Sequence, residues 1–168
     1  MPAKSKREPA STKNQTKVER TSSRELVVTR TFNAPARLVF QAWTTPELLK
    51  RWWPPKSYGI QFLSCEADVR AGGSYRFVFG HPASAQPMTF FGRYIEVTPY
   101  SRLVWTNEES ADGAVTTVTF AEKDGQTIVV MHDLYPSQDA LDAAIASGST
   151  GGTAEQFAQL DGVLASFS

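Results

Sequence analysis

The residues able to take up, release or hold a proton in a sheltered site are few: Cys65, Glu66, Asp68, His81, His132 and Asp133. His132 and Asp133 are neighbours near the end of a strand-like run, and adjacent strand residues face opposite sides, so only one can look inward. They are therefore separate candidates and not a dyad. His132 has the near-neutral imidazole suited to a general base, and its alternative is an edge histidine. Asp133 facing inward would anchor a polar group of a ligand; otherwise it caps the chain around Tyr135-Pro136-Ser137. Asp68 and Arg70, two apart on one strand face, are read as turn and ion contacts. His81 lies in a proline-bounded loop as a solvated turn residue. Cys65, the only cysteine, excludes an internal disulfide and reads as a buried, inert thiol. Two histidines, one cysteine and no clustered acids make no metal site, and Gly72-Gly73 and Gly151-Gly152 lack the Lys and Ser/Thr of a phosphate loop. No cofactor is expected.

Binding chemistry is better supplied than catalytic chemistry. Tyr75, Phe77 and Phe79 alternate on one strand face, and Met88, Phe90, Gly92 and Tyr94 do so on the next run. The opposite parity of that second run, Phe91 and Ile95, is also apolar, so its inner face stays open, with a bulge at Gly92 able to switch it. Trp105, Val118 with Phe120, and Val129 with Met131 complete the inward set from the sheet. Phe157, Leu160 and Leu164 face it from a terminal helix. Trp52-Trp53, beside the helix-breaking Pro54-Pro55, forms a wall or rim. Such residues line a small-molecule pocket or fill an ordinary core. Tyr75, Tyr94 and Trp105 matter most, because each carries a polar atom into an apolar wall and needs a partner there.

The elements that must position these side chains follow from periodicity. A β-branched run over 25–32 is a strand, and Asn33-Ala34-Pro35 starts a helix with Leu38, Val39, Ala42 and Trp43 on its apolar face. Thr45-Pro46-Glu47 restarts the chain as a second short helix carrying Leu48, Leu49, Trp52 and Trp53. Six strand-like runs come next, over 60–69, 74–80, 88–97, 102–107, 114–122 and 127–135. Asp124-Gly125 is a hairpin signal and Thr98 to Ser101 a turn. The loop 80–87 is longer and holds two prolines, and it is read as a mobile lip. Ser137 caps a helical stretch, Gly148 to Gly152 interrupt it, and Thr153, Phe157, Leu160, Leu164 and Phe167 form the stripe of a final helix.

At 168 residues the chain accommodates one domain and a tail. Residues 1–24 hold no aromatic residue and carry a charge of +5, whereas the remainder carries −5. The tail is read as disordered and solvated, with no function and no nucleic-acid partner assigned, and residues 25–168 as the folded domain. No segment has the apolar core of a signal peptide or approaches the ~20 residues of a membrane span, so a cytoplasmic protein without membrane insertion is expected.

That element order, with Trp52-Trp53-x-Pro55, Asp68-x-Arg70-x-Gly72-Gly73, Gly92-x-Tyr94-x-Glu96-Val97-x-Pro99 and Arg102-Leu103-Val104-Trp105, closely resembles the START-like (SRPBCC) superfamily. More narrowly it resembles the bacterial single-domain branch related to the C-terminal domain of the activator of the ninety-kilodalton heat-shock chaperone's ATPase. The resemblance spans about residues 25–166. It implies an α+β helix-grip fold, in which a curved antiparallel sheet of about seven strands (β-α-α-β6-α) wraps a long C-terminal helix around a hydrophobic cavity. Members bind lipids, steroids or polyketides, act as cyclases or hydrolases, or serve as co-chaperones, so the fold alone does not fix function. The leading expectation is a binder of an apolar small molecule, contacted by Trp52, Trp53, Tyr75, Phe77, Phe79 and Met88 and by Phe90, Tyr94, Trp105, Met131, Phe157 and Leu160. An enzyme using His132, Asp133 or Tyr94 for acid–base work is one alternative. A chaperone-interacting module is another, and exposure of Trp52 and Trp53 would favour it or a homodimer.

Overall fold

The computed structural model describes residues 15–148 and 150–167. The chain runs β1 (Lys17–Arg20), β2 (Glu25–Phe32), α1 (Ala36–Thr44), α2 (Pro46–Trp52), a 3-10 turn (Lys56–Tyr58), β3 (Gln61–Ala67) and β4 (Ser74–His81). It continues through β5 (Ser84–Thr98), β6 (Arg102–Thr106), β7 (Val115–Lys123), β8 (Gln126–Leu134), α3 (Gln138–Ala146) and α4 (Thr153–Ala165). All eight strands form one antiparallel, unclosed sheet in the order β1-β2-β8-β7-β6-β5-β4-β3. Its inner face packs on α1, α2 and α4, so the α+β helix-grip architecture holds, with β1 as a strand beyond the seven read from sequence.

Two readings of the sequence are corrected. Residues 17–20 were placed in a disordered tail, yet they pair with β2 from Lys17↔Thr29 to Arg20↔Leu26. All four are exposed and three are charged, which suits a sheet edge that must not recruit other strands. Residues 1–14 of that tail lie outside the described residues. The lip at 80–87 is instead a tight hairpin, with His81 paired to Ser84. Pro87 fits within β5 because that stretch has only β4 as a neighbour, β6 joining from Tyr94 onward.

The break between α1 and α2 is local chemistry. Pro46 occupies the first turn of α2, and Thr45 before it is held extended at φ −103°, ψ 118°. At the other end Pro54-Pro55 supply no N–H, which leaves the last carbonyls of α2 without partners. Side chains from α4 satisfy them. Gln159 Nε2 donates to the Trp52 and Pro54 carbonyls at 2.9 and 3.0 Å, Gln156 Nε2 donates to that of Trp53, and Gln159 Oε1 accepts the Lys56 N–H at 2.9 Å. The final helix is thereby tied to the aromatic wall. Its opposite tie is Arg30, a buried cation on the inner face of β2, which donates to the Phe157 carbonyl at 3.0 Å and to Asp161 at 2.6 Å.

Along β5 the inner face is Met88, Phe90, Gly92 and Tyr94, with Phe91 and Ile95 turned outward. The irregularity that switches parity lies between Tyr94 and Glu96, after which Val97 returns to the core; it is not at Gly92. Gly92 has a different duty. A Cβ there would stand 2.0 Å from the Thr106 carbonyl oxygen, so the close approach of β5 to the end of β6 requires glycine. At the β3–β4 turn Asp68 and Arg70 make the contacts read from sequence, Arg70 Nε reaching the Asp68 carboxylate at 2.9 and 3.1 Å, while Gly72 takes φ +87° and donates to the Tyr94 carbonyl at 2.8 Å.

Candidate functional site

Between the concave sheet, the α1–α2 junction, α3 and the start of α4 lies a cleft of about 790 Å³ that opens to solvent. Its inner wall is a chain of rings in mostly edge-to-face contact. Trp43 meets Trp52 at 4.8 Å between centroids, Trp52 meets Trp53 at 5.2 Å, and Trp53 meets Phe77 and Trp105 at 6.0 and 6.4 Å. Tyr75 continues the series against Phe77 and Tyr94 at 5.1 and 5.8 Å. Trp52 is fully buried, and its indole N–H donates to the Ala42 carbonyl at 3.0 Å. The Trp43 indole N–H is buried with no acceptor among the described residues.

Polar groups enter this apolar wall along a single thread. Tyr75 shares its hydroxyl proton between the Thr106 carbonyl at 2.6 Å and Asn107 Oδ1 at 3.2 Å. Asn107 Nδ2 donates to the Ala114 carbonyl at 2.7 Å, which fixes the amide orientation, and to Thr116 Oγ1 at 3.1 Å. Thr116 Oγ1 then donates to Asp133 Oδ1 at 2.6 Å. The donors run in one direction and end at Asp133, an arrangement in which each bond polarises the next. Burial pushes the Asp133 carboxyl above its ordinary range, opposed by the Thr116 hydroxyl and the nearby His132. Some of the Asp133 surface faces the void while protein atoms crowd the rest, so water solvates it poorly. Burial also raises the Tyr75 and Tyr94 hydroxyls well beyond their usual values, so both stay protonated donors at neutral pH. Among the described residues no three His, Cys, Asp or Glu side chains are grouped to hold a metal ion.

The family profile of activator of Hsp90 ATPase homolog 1-like proteins matches residues 33–165. The chain belongs to this family. Solved bacterial structures resemble it over nearly their whole length. A protein from Rhodobacter sphaeroides is 25% identical with a TM-score of 0.83, covering 92% of this chain and 100% of its own. One from Chromobacterium violaceum is 27% identical with a TM-score of 0.71, covering 84% and 97%. One from Nitrosomonas europaea is 23% identical with a TM-score of 0.78 over 88% and 97%, which speaks for the fold alone. No curated protein matches the chain.

In this family member eleven of the twelve residues read as ligand contacts line the cleft: Trp52, Trp53, Tyr75, Phe77, Phe79 and Met88, then Phe90, Tyr94, Trp105, Met131 and Phe157. Leu160 does not. It is fully buried on the core side of α4, one turn from the wall that Phe157 reaches. Met88 and Phe90, each 39% exposed, form the outer lip, not the depth. His132 is on the outer face of the sheet with Nε2 2.7 Å from Glu25 Oε2, so strand alternation removes it from the cleft and admits Asp133. The bond to His132 holds the Glu25 carboxyl below its usual range. Cys65 is half-buried, and burial pushes its thiol up to about 11, which leaves it protonated and unreactive near neutrality. His81 Nδ1 accepts the Ala83 N–H at 2.9 Å, a turn contact.

Sequence reasoning missed Trp43 as a cleft residue, and it missed Asn107 and Thr116 altogether. Trp43 had been placed on an apolar helix face, which says buried without saying against what. Asn107 ends a strand where a turn residue is unremarkable, and Thr116 alternates as any strand threonine would. A signal existed in combination: Thr116, Trp105 and Asp133 all fall on inward parity, and an inward Thr and Asp on neighbouring strands are polar groups that need each other.

Proposed function

We propose that this family member binds a small apolar molecule, of lipid, polyketide or aromatic type, in the cleft between its sheet and α3–α4. The observation that carries this reading is a void of about 790 Å³ walled by aromatic side chains and supplied with a few convergent polar groups. Small-molecule sites have this size, roughly 300–1,000 Å³, and this composition. The rings that wall it are left facing solvent, a cost that an apolar ligand covering them would relieve. The Tyr94 hydroxyl and the Trp105 indole N–H meet no hydrogen-bonding partner among the described residues and lie on the cleft wall, so a ligand's acceptors would find donors there. Titration calorimetry and native mass spectrometry against lipid, flavonoid and polyketide panels test the proposal. One-to-one saturable binding with a negative heat-capacity change is expected. Failure of every panel member to bind, with the ring wall unperturbed, overturns it.

The family's descriptive name supports a second reading, a module that contacts Hsp90 and raises its ATPase rate. Titrating the chain into Hsp90 while following ATP hydrolysis decides it, since an unchanged rate and no pull-down remove the reading. Exposure of Trp52 and Trp53 would have favoured a chaperone contact or a homodimer, but Trp52 is fully buried and Trp53 is half-buried against the core. No helix among the described residues is long and apolar enough to cross a membrane.

A further inference from the structure

The sign of the cleft's charge narrows the ligand beyond "apolar". Of the described residues that line it, three carry carboxylates, Glu109, Asp112 and Asp133, and none is Lys, Arg or His. Register places the innermost of the three. Asp133 on β8 stands directly opposite Thr116 on β7, Thr116 opposite Trp105 on β6, and Trp105 opposite Tyr94 on β5. Direct partners in an antiparallel ladder point to the same face, so these four side chains form one rung across the concave floor. With strands about 4.8 Å apart, the Asp133 and Trp105 backbones are separated by roughly 10 Å, with the short Thr116 side chain between them.

Asp133 is incompletely served on that rung. Its Oδ1 accepts the Thr116 hydroxyl, but its Oδ2 accepts no hydrogen bond from any described residue, and it is not among the enclosed unsatisfied atoms, so it opens to the cleft. No described cation pairs with it. A poorly solvated carboxylate with one free oxygen is costly unless a positive charge or a donor comes to it. Opposite it stands an indole, whose ring face attracts cations within about 6 Å of its centroid. A carboxylate on one side and an aromatic wall on the other suit a protonated amine.

We infer that the cleft takes an apolar molecule bearing a protonated amine, the ammonium seated over Thr116 between Asp133 and Trp105 and the apolar body lying along Trp53 and Phe77. The inference rests on the apolar-ligand reading and specifies its head group. Glu109 and Asp112 at the mouth add negative potential that draws cations in and turns fatty-acid carboxylates away.

The test uses one apolar body with three heads: 4-phenylbutylamine, 4-phenylbutan-1-ol and 4-phenylbutanoate, each titrated calorimetrically into the full chain at pH 7 and low salt. The amine is expected to bind about tenfold or more tighter than the alcohol, and the carboxylate weakest. In Asp133→Asn the amine's advantage over the alcohol should disappear. Circular dichroism and the thermal unfolding transition report that the variant is folded. If the alcohol or carboxylate binds as well as the amine, or the amine's advantage survives in Asp133→Asn, the head-group inference is wrong and apolar binding stands. If none of the three binds, the head-group inference falls, and the apolar-ligand reading is decided by the lipid, flavonoid and polyketide panels.

Discussion

At position 133 a carboxyl group sits among rings with a single hydroxyl as its donor, and both facts can be read out. Burial raises its folded-state pKa above the ordinary value of 3.8. Below that value both the folded and unfolded chains hold the proton, and the group costs nothing. As pH rises the unfolded chain ionises first, so stability falls until the folded carboxyl has ionised too, and then levels. Asp133→Asn keeps an acceptor for Thr116 and deletes the titration. The variant should match the parent in chemical-denaturation stability near pH 3 and exceed it at pH 7; a gap of constant size across pH would refute the raised pKa. Thr116→Val is the complementary change. It strips Asp133 of its donor and leaves Asn107 Nδ2 with only the Ala114 carbonyl, and it should lower stability by about 1–3 kcal/mol in urea unfolding at pH 7.

Elements here are joined by groups that periodicity does not reveal. The strands were legible because alternation and β-branching mark them locally, and so were the Thr45-Pro46 restart and the Ser137 cap, whose hydroxyl accepts the Ala140 N–H at 3.1 Å. Less legible was what each proline break exposes. The carbonyls freed by Pro54-Pro55 are met from more than a hundred residues away by Gln156 and Gln159, and nothing in a helix stripe distinguishes a glutamine facing solvent from one closing another helix. Gln159→Ala withdraws partners from the Trp52 and Pro54 carbonyls and the Lys56 N–H together. A loss of about 1–3 kcal/mol is expected, less where water reaches the freed groups, and Trp fluorescence in the native state should shift as the wall loosens. Gly92→Ala acts on the sheet instead. Its Cβ would collide with the Thr106 carbonyl 2.0 Å away, so β5 must separate from the end of β6 and carry Tyr94 and Trp105 with it. A destabilisation of more than about 2 kcal/mol would fit the backbone clash, and an unchanged melting temperature would contradict it.

At the scale of the molecule, the grip was readable and the hole within it was not. Leu160 and Phe157 share one helix stripe, and only three-dimensional placement sends the first into packed core and the second to the cleft. Likewise His132 and Asp133 are separated by strand parity, which sequence supplies, but their assignment to outer and inner face depends on register with β2 and β7. The helix α3 lies over the cleft, with Ala140 and Leu141 buried and Ala143 exposed on its rim. The helix is tethered to the β1 edge of the sheet by Arg20, whose guanidinium meets Asp142 at 2.7 Å. Such an exposed pair contributes about 0–1 kcal/mol, so α3 is held mainly by its two buried residues and by its cap. A bulky side chain on its rim should therefore obstruct entry without cost to the core. In Ala143→Trp the affinity for 4-phenylbutan-1-ol is expected to drop tenfold or more, while the unfolding free energy stays within about 0.5 kcal/mol of the parent, as for surface changes in general. Retained affinity with unchanged stability would mean that ligands reach the aromatic wall by another route, between Met88 and Phe90 of β5 and the Pro54–Pro55 rim, and the same substitution at those positions would then become the decisive one.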